Sequence, residues 1–151
     1  MTNLDTLEEI LDYAIALEQK AVDLYTMIAE KATSEHNREM FLAFAKEEMG
    51  HKLKLENVKL GKIEIGTTGK VMDLKISDYA NDVELTDNSS YQNILMYAMK
   101  QEKQAFRLYT DLADRAETEE MKKLFLALAF EEANHKLRFE IEYDENVLRE
   151  N

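Results

Sequence analysis

At 151 residues, with no proline, no cysteine and four glycines, the chain is long enough for one core without disulfides and poor in helix breakers, so a single all-α domain is expected. A formal charge of −12 excludes nucleic acid and acidic membrane surfaces as partners, because both need a cationic footprint that no stretch here supplies. Without thiolates any metal must be held by oxygen and nitrogen. The opening Met1-Thr2-Asn3-Leu4-Asp5 lacks the regions of a signal peptide, and the longest apolar run, Leu124 to Phe130, is far too short to span a membrane, so a cytoplasmic location is expected.

The first helix is expected to begin near Thr6, where Thr6-x-x-Glu9 has the form of a capping box. Its inward stripe reads Leu7, Leu11, Ala14, Glu18, Ala21, Tyr25, Ile28 at steps of three and four, with an acid in its middle. A second helix follows Ser34, a good N-cap, with the stripe Phe41, Phe44, Glu48, His51, Leu55, Val58. From about Leu60 to Ser90 the pattern changes. Gly61, Gly66 and Gly69 gather there, and Ile63 to Ile76 suggests a short hairpin inside a long connection. A 25-residue helix is about 37 Å long, a distance that a connection of about 30 residues spans easily, so the third helix is expected to run parallel to the second. That third helix starts after Ser89-Ser90 with the stripe Leu95, Ala98, Glu102, Ala105, Tyr109, Leu112, Ala116. The fourth starts after Thr118 with Phe125, Leu128, Glu132, His135, Phe139 and continues towards Leu148.

The two halves are copies. Glu47-Glu48-Met49-Gly50-His51 returns 84 residues later as Glu131-Glu132-Ala133-Asn134-His135, and Glu18 and Glu102 each precede their copy by thirty residues. The alignment runs without a gap from Tyr13/Tyr97 to Glu56/Glu140 with about twenty identities, which marks two helical hairpins of one design. The organisation is therefore a hairpin over 6–59, a crossover over 60–90 and a hairpin over 91–149 in one four-helix bundle.

Four carboxylates converging in a core need compensating positive charge, and the alternative, six interior polar groups tied by ion pairs, would leave acids that no Lys or Arg on the same stripes can match. Two divalent cations balance four carboxylates, and carboxylate with imidazole suits iron, manganese, cobalt or zinc. A Glu from each of two helices and a Glu-x-x-His from each of the other two is the ligand pattern of carboxylate-bridged dimetal bundles. In that pattern Glu48 and Glu132 bridge, Glu18 and Glu102 bind one metal each, and His51 and His135 take one metal each. Open positions on a redox-active pair are where peroxide or oxygen can bind. Tyr25 and Tyr109, seven residues past Glu18 and Glu102 on the same faces, are candidate hydrogen-bond donors to a ligand carboxylate. Glu47 and Glu131 lie one position off the stripe, as surface acids or hydrogen-bonding neighbours of the ligands. His36 is expected to be exposed.

With Glu18, Glu48-x-x-His51, Ile76-Ser77-Asp78-Tyr79-Ala80 in the crossover, Ala98-Met99-Lys100-Gln101-Glu102 and Glu132-x-x-His135, nearly the whole chain resembles a rubrerythrin-like member of the ferritin-like superfamily. The resemblance implies a non-haem centre of two iron ions per chain, with manganese or zinc as alternatives, that reacts with hydrogen peroxide or oxygen, and it implies a homodimer or larger assembly. Rubrerythrins resembling this chain carry a further carboxylate one turn after the third-helix Glu, where this chain has Ala105, and a cysteine-rich rubredoxin domain, for which there is no cysteine here. Electrons are then expected from an external donor such as a rubredoxin-like protein. The leading expectation is a peroxide-reducing oxidoreductase. The alternatives are a ferroxidase that stores iron and a structural or regulatory protein holding a redox-inert metal.

Overall fold

The computed structural model describes residues 3–4, 6–61, 74–86 and 88–150. Four helices account for most of them: α1 (Leu7–Lys31), α2 (Glu35–Lys59), α3 (Tyr91–Asp114) and α4 (Glu119–Glu150). Each begins where a hydroxyl caps it. The Thr6, Ser34, Ser90 and Thr118 side chains accept from the backbone N–H of Glu9, Asn37, Asn93 and Met121, all at 3.1 Å, and each such cap stabilises its helix by about 1 kcal/mol. The Thr6 hydroxyl also donates to the Glu9 carboxylate at 3.0 Å, so the two side chains of the expected capping box are paired through their side-chain oxygens. At the other end of α2, Gly61 adopts φ 78° and its N–H bonds the Val58 carbonyl, a left-handed stop that a side chain would resist.

The helices pair as hairpins, α1 on α2 and α3 on α4, and α1 also touches α3. Ala14, Ala21, Ala98 and Ala105, all buried, are the small residues on the α1 and α3 stripes that permit such an approach. Two apolar clusters fill the interior. One joins the start of α1, the end of α2, the end of α3 and the start of α4, through residues such as Ile10, Leu55, Tyr109 and Phe125. The other joins the opposite ends through Tyr25, Phe41, Leu95 and Phe139. This sharing of ends makes α2 parallel to α3, so the connection between them crosses the length of the bundle, as its length allows.

The expected hairpin over Ile63 to Ile76 lies almost wholly outside the described residues. Its described end, β2 (Leu74–Lys75), pairs antiparallel with β1 (Asn3–Leu4), and one turn of 3₁₀ helix follows at Ile76–Tyr79. The rest of the crossover is fastened to α3. Tyr79 is buried and donates to Asp111 at 2.7 Å, the Gln104 amide donates to the Ala80 carbonyl at 2.9 Å, and the Asn81 amide donates to the Tyr97 carbonyl at 3.0 Å. Among the described residues no helix is long and apolar enough to cross a membrane.

Candidate metal centre

Between the two apolar clusters lies a polar layer. The helical steps that put Tyr25, Phe44, Tyr109 and Phe139 inside also put Glu18, Glu48, His51, Glu102, Glu132 and His135 inside, and none of the six is more than 5% exposed. Their donor atoms form two overlapping groups, Glu18, Glu48, His51 and Glu132 in one and Glu48, Glu102, Glu132 and His135 in the other, each within 4.8 Å. Glu48 and Glu132 belong to both. Each group takes ligands from both hairpins.

Such a layer is costly if left alone. At about 4.8 Å and an effective dielectric near 20, each pair of charged carboxylates repels by roughly 3 kcal/mol. Burial, followed by the charges of Glu132 and Glu18, raises Glu48 well above the usual carboxylate range. Burial and the Glu132 charge do the same to Glu102. Burial also opposes charge on Glu132 and His51, but here the contacts win. Close polar contacts with Glu102 and His51, His51 Nδ1 lying 3.0 Å away, hold Glu132 at about 2, and the carboxylates of Glu132 and Glu18 raise His51 to about 10. The metal-free surroundings thus favour the protonated forms of Glu48, Glu102 and His51 around an ionised Glu132.

The donor set fits a metal pair. Glu18 Oε2, both oxygens of Glu48, both oxygens of Glu102, Glu132 Oε1 and the Nδ1 atoms of His51 and His135 are all buried without a hydrogen-bond partner. Orphaned buried polar atoms are rare in a folded interior, and here eight of them lie in one layer and all are metal-ligand types. The histidines add a directional argument. His51 Nε2 meets Glu131 and His135 Nε2 meets Glu47, each across the seam between α2 and α4. With those nitrogens donating, the Nδ1 atoms face inwards, 3.0 Å from Glu132 for His51 and 2.7 Å from Glu48 for His135. Two lone pairs at that separation repel unless a proton or a metal lies between them.

The two tyrosines part company. Tyr109 donates to Glu18 at 2.5 Å, and burial together with the Glu18 charge keeps its phenol protonated well above the ordinary range. Tyr25 is equally buried, yet its hydroxyl has no partner. Its ring lies against Phe139 at 5.1 Å and stands edge-on to His135 at 6.1 Å. Glu47 and Glu131 are about half exposed and belong to neither donor group. His36 is exposed.

Against the four carboxylates of the layer, a cavity of about 10 Å³ is lined by Leu17, Glu18, Ala21, Glu48, Gln101, Glu102, Ala105 and Glu132. That is room for about one water molecule. Gln101 is buried there, its carbonyl oxygen accepting from Asn81 of the crossover at 3.2 Å. The sequence carried a signal for Gln101, since it occupies the position of Leu17 in the other copy and so breaks the repeat at the cavity wall.

The rubrerythrin family model matches residues 9–81 and 93–150. The chain belongs to the rubrerythrin family. All six residues of the buried layer fall within the matched segments, so it is the family's domain that carries the layer. A hypothetical protein from Pyrococcus furiosus is 26% identical, with the match covering 92% of this chain and 89% of that one at a TM-score of 0.71. No curated protein matches the chain.

Proposed function

We propose that this member of the rubrerythrin family is a non-haem di-iron oxidoreductase that reduces hydrogen peroxide with electrons from an external donor. The overall change is H2O2 + 2 e⁻ + 2 H⁺ → 2 H2O. The observation that carries the reading is the pair of four-residue donor groups sharing Glu48 and Glu132, because two carboxylates common to both groups define adjacent positions for two metals. A bound iron pair supplies two electrons and Lewis-acid character.

The chain's own residues supply the rest. Glu48 and Glu132 sit between the two positions, Glu18 and Glu102 flank them, and His51 and His135 present Nδ1. The cavity beside this layer has room for one water-sized group, which peroxide approaching the pair would displace. Leu17, Ala21 and Ala105 make that wall apolar, and the small side chains of Ala21 and Ala105 leave the space open. Tyr109 holds a proton on its hydroxyl 2.5 Å from Glu18 Oε1, ready to neutralise charge gained by that carboxylate.

Metal-free protein reconstituted with iron(II) under anaerobic conditions is expected to hold two tightly bound iron ions per chain, and on adding peroxide to oxidise far faster than free ferrous ion. One iron or none, or a rate no greater than that of the free ion, would end this reading. Uptake far beyond two per chain in a large assembly would replace it with iron storage.

A further inference from the structure

Glu47 and Glu131 are not needed to explain the donor groups, yet both make the same unusual contact. Each is the residue before an inward-pointing Glu, so it projects sideways from its helix. Glu47 on α2 reaches His135 on α4, and Glu131 on α4 reaches His51 on α2. Each histidine of one hairpin is therefore met by a carboxylate of the other. The two carboxylates are 57% and 51% exposed while the two rings are nearly buried. A half-exposed carboxylate keeps much of its hydration and does not require a partner, whereas a buried ring nitrogen does.

We infer that Glu47 and Glu131 are positioning residues: each holds a proton on Nε2 of the facing histidine and so turns the Nδ1 lone pair of His135 or His51 into the metal layer. The inference rests on the reading of the layer as a metal pair, but not on any reaction with peroxide. Two features separate this role from general support of the fold. Removing either carboxylate leaves one nearly buried Nε2–H without its acceptor, an equal structural cost in both variants that thermal melting reads apart from metal binding. And because the contacts cross, each carboxylate serves one donor group only: Glu131 the group with Glu18 and His51, Glu47 the group with Glu102 and His135.

The test is a cobalt(II) titration of metal-free wild type, Glu131→Ala, Glu47→Ala and the corresponding Gln variants, followed by visible absorption, with folding checked by circular dichroism. Wild type is expected to bind two ions. Glu131→Ala is expected to weaken one of them by about 10- to 100-fold and leave the other in place, and Glu47→Ala to weaken the other one, since partners of this kind have effects of that size. The Gln variants keep an acceptor oxygen and are expected to fall between; should an Ala variant fail to fold, its Gln counterpart decides. In zinc-loaded protein the Nε2 proton of His51 is expected to exchange with water faster in Glu131→Ala while that of His135 is unchanged, a signature that general loosening would not give.

Variants that bind two ions with wild-type affinity, or that lose both equally, would overturn the inference and leave the metal pair standing. Wild type that binds no cobalt would overturn both.

Discussion

The Glu18–His51 and Glu102–His135 halves of the centre are written in nearly the same residues and are not built alike. In the first, Glu18 accepts from Tyr109; in the second, both Glu102 oxygens are unpartnered and Tyr25, the repeat counterpart of Tyr109, touches no carboxylate. The cause lies in the packing around each ring. Tyr25 is hemmed by Phe44 and Phe139, where the other copy has Leu128 and Leu55, and Tyr109 instead stacks flat on Phe125 at 6.1 Å. Two extra aromatic rings hold Tyr25 by its faces and edges. A repeated motif therefore fixes which groups reach the layer, while its neighbours decide which of them bond there.

The strongest way to break the comparison is to remove what the halves share. Glu132→Ala takes a carboxylate from both donor groups, and tight binding of both cobalt ions is expected to be lost; loss of only one would refute a shared role.

Protons offer the next lever. Metal must displace the protons that Glu48, Glu102 and His51 hold, so apparent affinity should rise with pH, by about tenfold per unit for each proton released. Stability of the metal-free protein moves the other way. The folded pKa values of these three groups lie above their ordinary values, so their contribution is complete below those values and fades as pH rises towards the folded ones. For His51 that window runs from 6.5 to about 10. Glu132, held at about 2, loses its contribution only in acid. The melting temperature of metal-free protein is expected to fall between pH 6.5 and 9.5, and a flat or rising profile would contradict a protonated His51 in the layer.

A third test concerns the ends of the bundle. Glu142 on α4 is buried and accepts from Asn37 at 2.9 Å and from Tyr91 at 3.2 Å. The same three positions in the other copy are Val58, Met121 and Leu7, and there the bundle is apolar. Glu142→Ala strands the buried Asn37 amide and is expected to cost about 1–3 kcal/mol, whereas Asn37→Met with Glu142→Val copies the apolar end and should cost much less. Chemical denaturation distinguishes the two, and equal losses would show that volume and not hydrogen bonding matters there.

The smallest expected effect sharpens the comparison most. Tyr109→Phe should weaken one of the two metals by about tenfold and bring the halves closer to equal, while Tyr25→Phe should leave both unchanged; cobalt titration reads both variants. A matching loss in Tyr25→Phe would mean that its hydroxyl joins the layer once metal is bound.

Much of this was legible before any coordinates. The hydroxyl caps at Thr6, Ser34, Ser90 and Thr118 stand where the sequence placed them, and so do the helix stripes except at their ends, where Leu7 is half-buried and Ala116 lies past the last turn of α3, because both depend on spacing within one helix. The six residues of the layer were legible because the repeat states them twice. What spacing could not reveal was contact between helices. Nothing local tells Glu47 to meet His135 and not His51 beside it, or places Asn81 on Gln101. The divergence of Tyr25 from Tyr109 was hidden for the opposite reason: the two residues are identical, and the cause sits on other helices, at Phe44 of α2 and Phe139 of α4.

Each donor group draws three residues from one hairpin and one from the other, so neither hairpin holds a metal position alone. Two separate copies of a half-length hairpin could meet face to face and complete the same layer, but every substitution would then appear in both. The crossover joins the copies in one chain and lifts that constraint. Leu17 could become Gln101 on one side of the cavity only, and Phe44 could stand where the other copy has Leu128, without the change being mirrored. Covalent fusion is thus what allows a symmetric frame to hold two positions with different chemistry.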